Sequence, residues 1–356
     1  MNVTLIILGY FVEFVGGVAA LLLGLSFAGG EWNQYPFLQG LDDQRPLLLS
    51  ITIVSLVLKL IINLAKDVPA AFETVNTPNG QVVKATLSGF EQELDDAADE
   101  IKKKVQEYFE AGERDFANEQ YAQAASNYKV SFELLPTMAA SLNAGNTFLN
   151  ISDYQEAEEL YQQGLRLAQQ KADKKYEAAF LGNIGVIYKN QGKLDEALKY
   201  HQQSLEIHKA IGNKLGQANQ LGNIGNIYYL KGKLDEALKY QQQALEIDKA
   251  IGNKLGQANQ LGNIGLIYKN QGKLDEALKY HQQALAIDKA IGYKLGEAQD
   301  LGNIGNVYFL KEKLDDALNY YTKAHAMFQE IGATIELKNT EDNIQIIKQQ
   351  AAATKP

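Results

Sequence analysis

The residues with most chemistry to offer recur at a fixed interval. An asparagine stands at Asn143, Asn183, Asn223, Asn263 and Asn303, always at one position of a repeated pattern. A side-chain amide both donates and accepts hydrogen bonds, so a column of five suits an extended peptide backbone, whose own groups need that pairing. The same amides could equally bond inside their own repeats. Other chemistry finds little support. The segment GVIYKNQGKL at 185–194 has six residues between its glycines where a phosphate loop has four, and Leu194 where a Ser or Thr must meet the metal. His201 and His281 occupy equivalent sites two repeats apart, too distant to share a metal, and neither His208 nor His325 joins them. There is no HExxH, no G-x-S-x-G and no cysteine. No catalytic residue, cofactor or metal is expected.

The elements that position the asparagines come from internal repetition. From about residue 178 the chain repeats every 40 residues, and 221–250 agrees with 261–290 at 24 of 30 positions. Such self-similarity marks a solenoid of stacked helical units. Each unit splits at a Gly-Lys turn (Gly192-Lys193, Gly232-Lys233, Gly272-Lys273) into two helical patterns, and the second opens on Asp195-Glu196 or its equivalent, which suits a helix N-terminus. Gly225, Ala237 and their equivalents let paired helices approach closely, and Tyr228 and its equivalents read as core.

These residues resemble the tetratricopeptide repeat. The pattern G-x-x-Y, then G, then A appears as Gly185/Tyr188/Gly192/Ala197, Gly225/Tyr228/Gly232/Ala237 and Gly265/Tyr268/Gly272/Ala277. A fourth copy, Gly305/Tyr308/Ala317, has Glu312 in place of the turn glycine, and two divergent units precede these at Gly112/Phe116/Tyr121/Ala124 and Gly145/Phe148/Tyr154/Ala157. The 40-residue spacing resembles the subclass found in kinesin light chains and animal spindle-orientation adaptors. The resemblance implies an all-α fold, a right-handed superhelix of antiparallel helix pairs, with the asparagine column lining its concave groove. It implies that groove positions also include Asn226, Tyr229, Asn306, Phe309, Lys189 and Lys269. These alternate along the array: Val186 goes with Lys189-Asn190, Asn226 with Tyr229-Leu230, Leu266 with Lys269-Asn270, and Asn306 with Phe309-Leu310. The scaffold is 40-periodic and the groove chemistry 80-periodic.

The N-terminus is of another kind. Residues 3–28 are apolar except for Glu13, and 47–65 except for Lys59, each long enough to span about 30 Å of hydrocarbon as a helix. The first lacks the basic flank of a signal peptide and a second span follows it. Glu13, Gly16, Ala20 and Gly24 share one helical face, where small residues permit close packing in lipid, and Glu13 with Lys59 is the natural charge pair. The loop at 29–46 carries Glu31, Asp42 and Asp43 against Arg45, while Lys59, Lys66 and Lys84 lie at or beyond the second span. The bias of basic residues therefore puts both termini in the cytoplasm, with Trp32, Tyr35 and Phe37 at the outer interface.

The expected organisation is a transmembrane hairpin over 1–65, a linker over 66–87 in which QVVKATL forms a short strand, and a charged helix over 88–104 opened by the capping box Ser88-Gly89-Phe90-Glu91. Six repeats follow over 105–333, then a polar capping helix and tail over 334–356. With 34 basic against 43 acidic residues the formal charge is -9, contrary to a generic nucleic-acid binder. The expectation is an adaptor integral to a bacterial inner or cell membrane, binding an extended segment of a protein partner in its groove, in contact with the bilayer and able to self-associate through the hairpin. The rival is a membrane-active or pore-forming hairpin with the repeats as sensor, and a purely architectural scaffold would leave the groove empty.

Overall fold

The computed structural model describes residues 72–77, 80–85 and 99–353, all within one compact unit that begins at Ala70. Thirteen helices follow one another among these residues: α1 (Asp99–Ala117), α2 (Tyr121–Leu134), α3 (Met138–Asn150), α4 (Tyr154–Gln170), α5 (Lys174–Asn190), α6 (Leu194–Ala210), α7 (Lys214–Leu230), α8 (Leu234–Ala250), α9 (Lys254–Asn270), α10 (Leu274–Ile291), α11 (Lys294–Leu310), α12 (Leu314–Ile331) and α13 (Thr334–Ala353). Each packs on the next in sequence, and odd-numbered helices also touch one another along the array, α3 with α5, α7 with α9 and α9 with α11. The odd helices therefore share one face. The expected transmembrane spans, with Glu13, Gly16, Ala20, Gly24 and Lys59, lie outside the described residues, as does the capping box at Ser88. No described helix is long and apolar enough to cross a membrane.

Local sequence sets the helix ends. Helices α3, α4, α5, α7 and α9 start on a side-chain cap: Thr137, Asp153, Asp173, Asn213 and Asn253 each accept a backbone N–H from the first turn. Helices α6, α8, α10 and α12 follow a lysine without such a cap and carry two acids in their first turn, against the positive end of the helix dipole. The turn glycines Gly192, Gly232 and Gly272 sit at φ near +70°, where only glycine is free of strain. Glu312 takes the same left-handed conformation at φ 59° and bears that strain with a full side chain.

The core changes character along the chain. Around α1–α6 it is one apolar cluster built on Phe109, Tyr128, Tyr161, Phe180, Leu142 and Ile184. Beyond it the apolar clusters shrink to four buried residues at a time, such as Leu205, Leu221, Ile224 and Ala244. The repeat tyrosines are half-buried and stack on a tyrosine of the following helix, Tyr188 on Tyr200, Tyr228 on Tyr240, Tyr268 on Tyr280 and Tyr308 on Tyr320, with centroids 5.2–5.4 Å apart.

The all-α reading omits one feature. Residues expected to form a linker make an antiparallel hairpin of β1 (Phe72–Thr77) and β2 (Gly80–Ala85), in register from Phe72 opposite Ala85 to Thr77 opposite Gly80. Only the second strand falls in the segment expected to be extended. The alternating FETVNT has no core of its own to face, and β2 finds one by lying along α3 and α5. This explains why α3 is buried around almost its whole circumference, Asn143, Asn146 and Thr147 included.

Candidate functional site

The odd-numbered helices α7, α9 and α11 line a groove with a cavity of about 350 Å³. Asn223, Asn263 and Asn303 stand along it, half-buried, joined by Lys189, Asn226 and Leu266. Their common placement follows from the repeat, because residues 40 apart occupy the same point on successive inner helices.

The structure divides the asparagine column in two. Asn143 is 1 % exposed and donates from Nδ2 to Glu113 Oε1 at 3.1 Å; Asn183 is 2 % exposed and donates to Asn146 Oδ1 at 2.9 Å. Both amides bond across to the preceding repeat unit, so they are committed within the array though not inside their own repeats. No hydrogen bond among the described residues ties down the side chains of Asn223, Asn263 or Asn303. Asn226 and Asn306 accept from Gln241 Nε2 and Tyr321 Oη at 2.7 Å, which fixes their orientation. Tyr229 Oη accepts from Asn270 Nδ2 at 2.8 Å, linking two repeats, and Phe309 packs against the cluster of Ala317, Tyr321 and Ile347. Leu230 and Leu310 remain more than half exposed. Burial lowers the lysine pKa values of Lys189 and Lys269.

A second set of polar residues lies beneath the groove where sequence reading found only repeats. The position filled by Tyr161 and Tyr321 in flanking units holds His201, Gln241 and His281. Facing them are Gln220, Gln260 and Asp300, and alongside come His208, Asp248 and Asp288, all buried. His201 Nδ1 lies 2.8 Å from Gln220 Oε1, Gln260 Nε2 reaches Asp248 Oδ2 at 3.4 Å, and His281 Nδ1 lies 3.4 Å from Asp300 Oδ1. Burial drives the titrations of this seam. His201, His208 and His281 are each lowered to about 4, while Asp288 is raised to about 7 and Asp300 to about 8. Burial thus disfavours the charged form of both His281 and Asp300. The signal was present in the aligned repeats: columns 208/248/288 and 220/260/300 are polar where Ala168, Phe180 and Phe328 are apolar.

Among the described residues no cluster of three or more His, Asp or Glu could hold a metal. The arrangement offers amide donors and acceptors, desolvated lysines and buried carboxyls along one groove, the equipment of a binding surface.

Stacked helix pairs with a groove on one side define a helical-repeat solenoid. Tetratricopeptide-repeat family models match residues 140–175, 176–250 and 257–330, just over half of the chain. The chain belongs to the tetratricopeptide-repeat proteins. No curated protein sequence matches it significantly. Solved structures share the fold at low identity. A Rap protein complexed with competence and sporulation factor matches at TM-score 0.52 and 15 % identity, covering 76 % of this chain and 80 % of that one. Aspartyl phosphate phosphatase F from Bacillus subtilis matches at 0.54 and 20 %, covering 72 % and 71 %. The APC/C hetero-tetramer Cut9-Hcn1 matches at 0.53 and 19 %, covering 71 % and 45 %.

Proposed function

We propose that this chain is a membrane-anchored, non-catalytic adaptor whose open groove over α7, α9 and α11 holds an extended segment of a partner protein. One observation carries the reading: the strand β2 already lies along α3 and α5, and the same inner face continues past it with three uncommitted asparagines. A surface that accommodates the chain's own extended backbone is built for another. That a Rap protein of this fold has been seen with competence and sporulation factor, and Cut9 with Hcn1, is support of the same kind.

Panning a displayed library of random linear peptides against the full chain in detergent micelles is expected to recover extended binders. Each amide contact is worth on the order of 1 kcal/mol. Changing Asn223 and Asn263 together to Ala should thus weaken the best binder roughly tenfold to thirtyfold. The melting temperature should scarcely move, because neither side chain holds a neighbour. Loss of melting temperature with affinity intact would make the column structural.

The anchor has its own test. The chain has no cysteine, so single cysteines at Asn33 and Thr354 can be probed on intact bacterial cells with an impermeant thiol reagent. Residue 33 should react at once and residue 354 only after permeabilisation. The reverse pattern would overturn the orientation, and recovery of the protein in the wash fraction would overturn the anchor.

A further inference from the structure

We infer that the floor of the groove between α9, α10 and α11 is a subsite for a primary ammonium group, held by the carboxyls of Asp288 and Asp300. The inference deepens the groove reading by naming a feature of its ligand. Asp288 and Asp300 are 4 % and 5 % exposed, yet both line the cavity bordered by Asn263 and Asn303. Asp288 Oδ1 and Asp300 Oδ2 are buried acceptors without a hydrogen-bond partner among the described residues. Buried acceptors are ordinarily satisfied, and those left open need a reason.

Two glycines shape the backbone around the pair. A Cβ at Gly296 would stand 2.2 Å from Asp288 Oδ2, so glycine is what lets that carboxyl sit where it does. A Cβ at Gly262 would meet only Asp300 Oδ1, at 3.7 Å, so the groove side of Asp300 is open. Compensating charge is spent elsewhere. Lys289 and Lys294 approach Glu297 at 3.8 and 4.0 Å, Lys269 lies beside His281, and His281 is neutral. No lysine or arginine among the described residues pairs with either aspartate. Burial, and for Asp288 the neighbouring Asp300 and Glu297 as well, raises both carboxyls far above the usual range. A cation entering the pocket reverses that cost, and a proton leaves to solvent as it binds.

The donor geometry selects the ammonium. A divalent metal asks for six or more oxygens, and a guanidinium presents a parallel fork to both oxygens of one carboxylate. Here each carboxyl offers one open buried oxygen, and two separate acceptors suit the divergent N–H groups of an ammonium. The group can belong to a lysine side chain or to the peptide's amino terminus.

Three probes separate these sources: Nα-acetyl-lysine N-methylamide, alanine N-methylamide with a free amine, and the uncharged Nα-acetyl-norleucine N-methylamide. Each is titrated into the full chain in micelles while the carboxyl carbon shifts of Asp288 and Asp300 are followed across pH. At least one ammonium probe is expected to bind with Kd of about 1 mM, an affinity reasonable for a fragment of that size, and to move both carboxyl midpoints down by about one pH unit. The norleucine probe should do neither. Asp300→Gln, which installs the residue found at Gln220 and Gln260, should weaken binding at least tenfold, and Asp288→Asn provides a second variant should the first fail to fold. Equal response to norleucine, no response to either amine at tens of millimolar, or unchanged binding in the variants would overturn the subsite. Failure of the library panning with ammonium binding intact would instead strike the groove reading alone.

Discussion

The stability of the repeat array is expected to peak near pH 6.5 and to fall on either side, through opposed groups in one buried seam. Asp288 and Asp300 have folded pKa values of about 7 and about 8 against a usual 3.8, so the folded state holds their protons longer than the unfolded chain does. Their contribution is complete at low pH and is lost as pH rises towards 8. Asp248, also raised by burial, acts in the same sense. His201, His208 and His281 are lowered to about 4 from 6.5, so the unfolded chain binds protons that the fold refuses, and stability is lost as pH falls from 6.5. Below pH 6.5 the three histidines oppose the three aspartates until Asp248 has lost its proton, after which the histidines outweigh Asp288 and Asp300; above pH 6.5 the histidine contribution is complete and the loss from Asp288 and Asp300 dominates. A tenfold difference in proton affinity between the folded and unfolded states corresponds to about 1.4 kcal/mol, so the limbs should amount to a few kcal/mol. Denaturation midpoints measured from pH 4.5 to 8.5 would show the peak. Asp300→Gln should flatten the alkaline limb, and His201→Gln, which copies Gln241, the acid limb. A flat wild-type profile would mean that the seam is solvated.

Two glycine-to-alanine changes should act in opposite directions. In Gly164→Ala the new Cβ would stand 2.1 Å from Phe180 Cζ and 2.5 Å from Ser141 Oγ, whose hydroxyl donates to Leu160 O at 2.6 Å. Both neighbours are fully buried, Phe180 within the main apolar cluster and Ser141 held by its hydrogen bond, and neither can yield without displacing others. The expected loss is about 3 kcal/mol, at the upper end of the range for overpacking. Gly302→Ala meets only Ala324 Cβ at 4.0 Å. There the helix recovers the conformational entropy that glycine costs, and the expected gain is about 0.5–1 kcal/mol. Since repeats unfold with partial independence, the midpoints should be read with probes at both ends of the array. A loss in both variants would show that the glycines are all required for helix contact.

The repeated helices and their turns were legible in sequence because they are local. Gly192, Gly232 and Gly272 report a left-handed turn by themselves, and Glu312 could be recognised as the exception from its place in the repeat. The hairpin was legible only in its second half. QVVKATL is rich in β-branched residues, but FETVNT gains from its extended form only once β2 pairs with it and packs on α3 and α5, a helix surface encoded far along the chain.

The asparagine column shows the same limit at the site itself. All five residues are identical in sequence and register, and the repeat alone determines that they share one face. Which of them bond inside the array depends on their neighbours in space: Glu113 and Asn146 engage the first two, and no described residue hydrogen-bonds the side chains of the last three. The polar seam went unread for a related reason. A buried aspartate carries no sequence signature of burial, and Asp288 and Asp300, twelve residues apart, become a pair only when α10 folds back on α11. By itself the sequence determined the repeat, the helix ends and the face on which the groove lies, since each depends on contacts within a few turns. Only the tertiary structure decided which amides stay open and which carboxyls lose their water, because desolvation is set by neighbours distant in the chain.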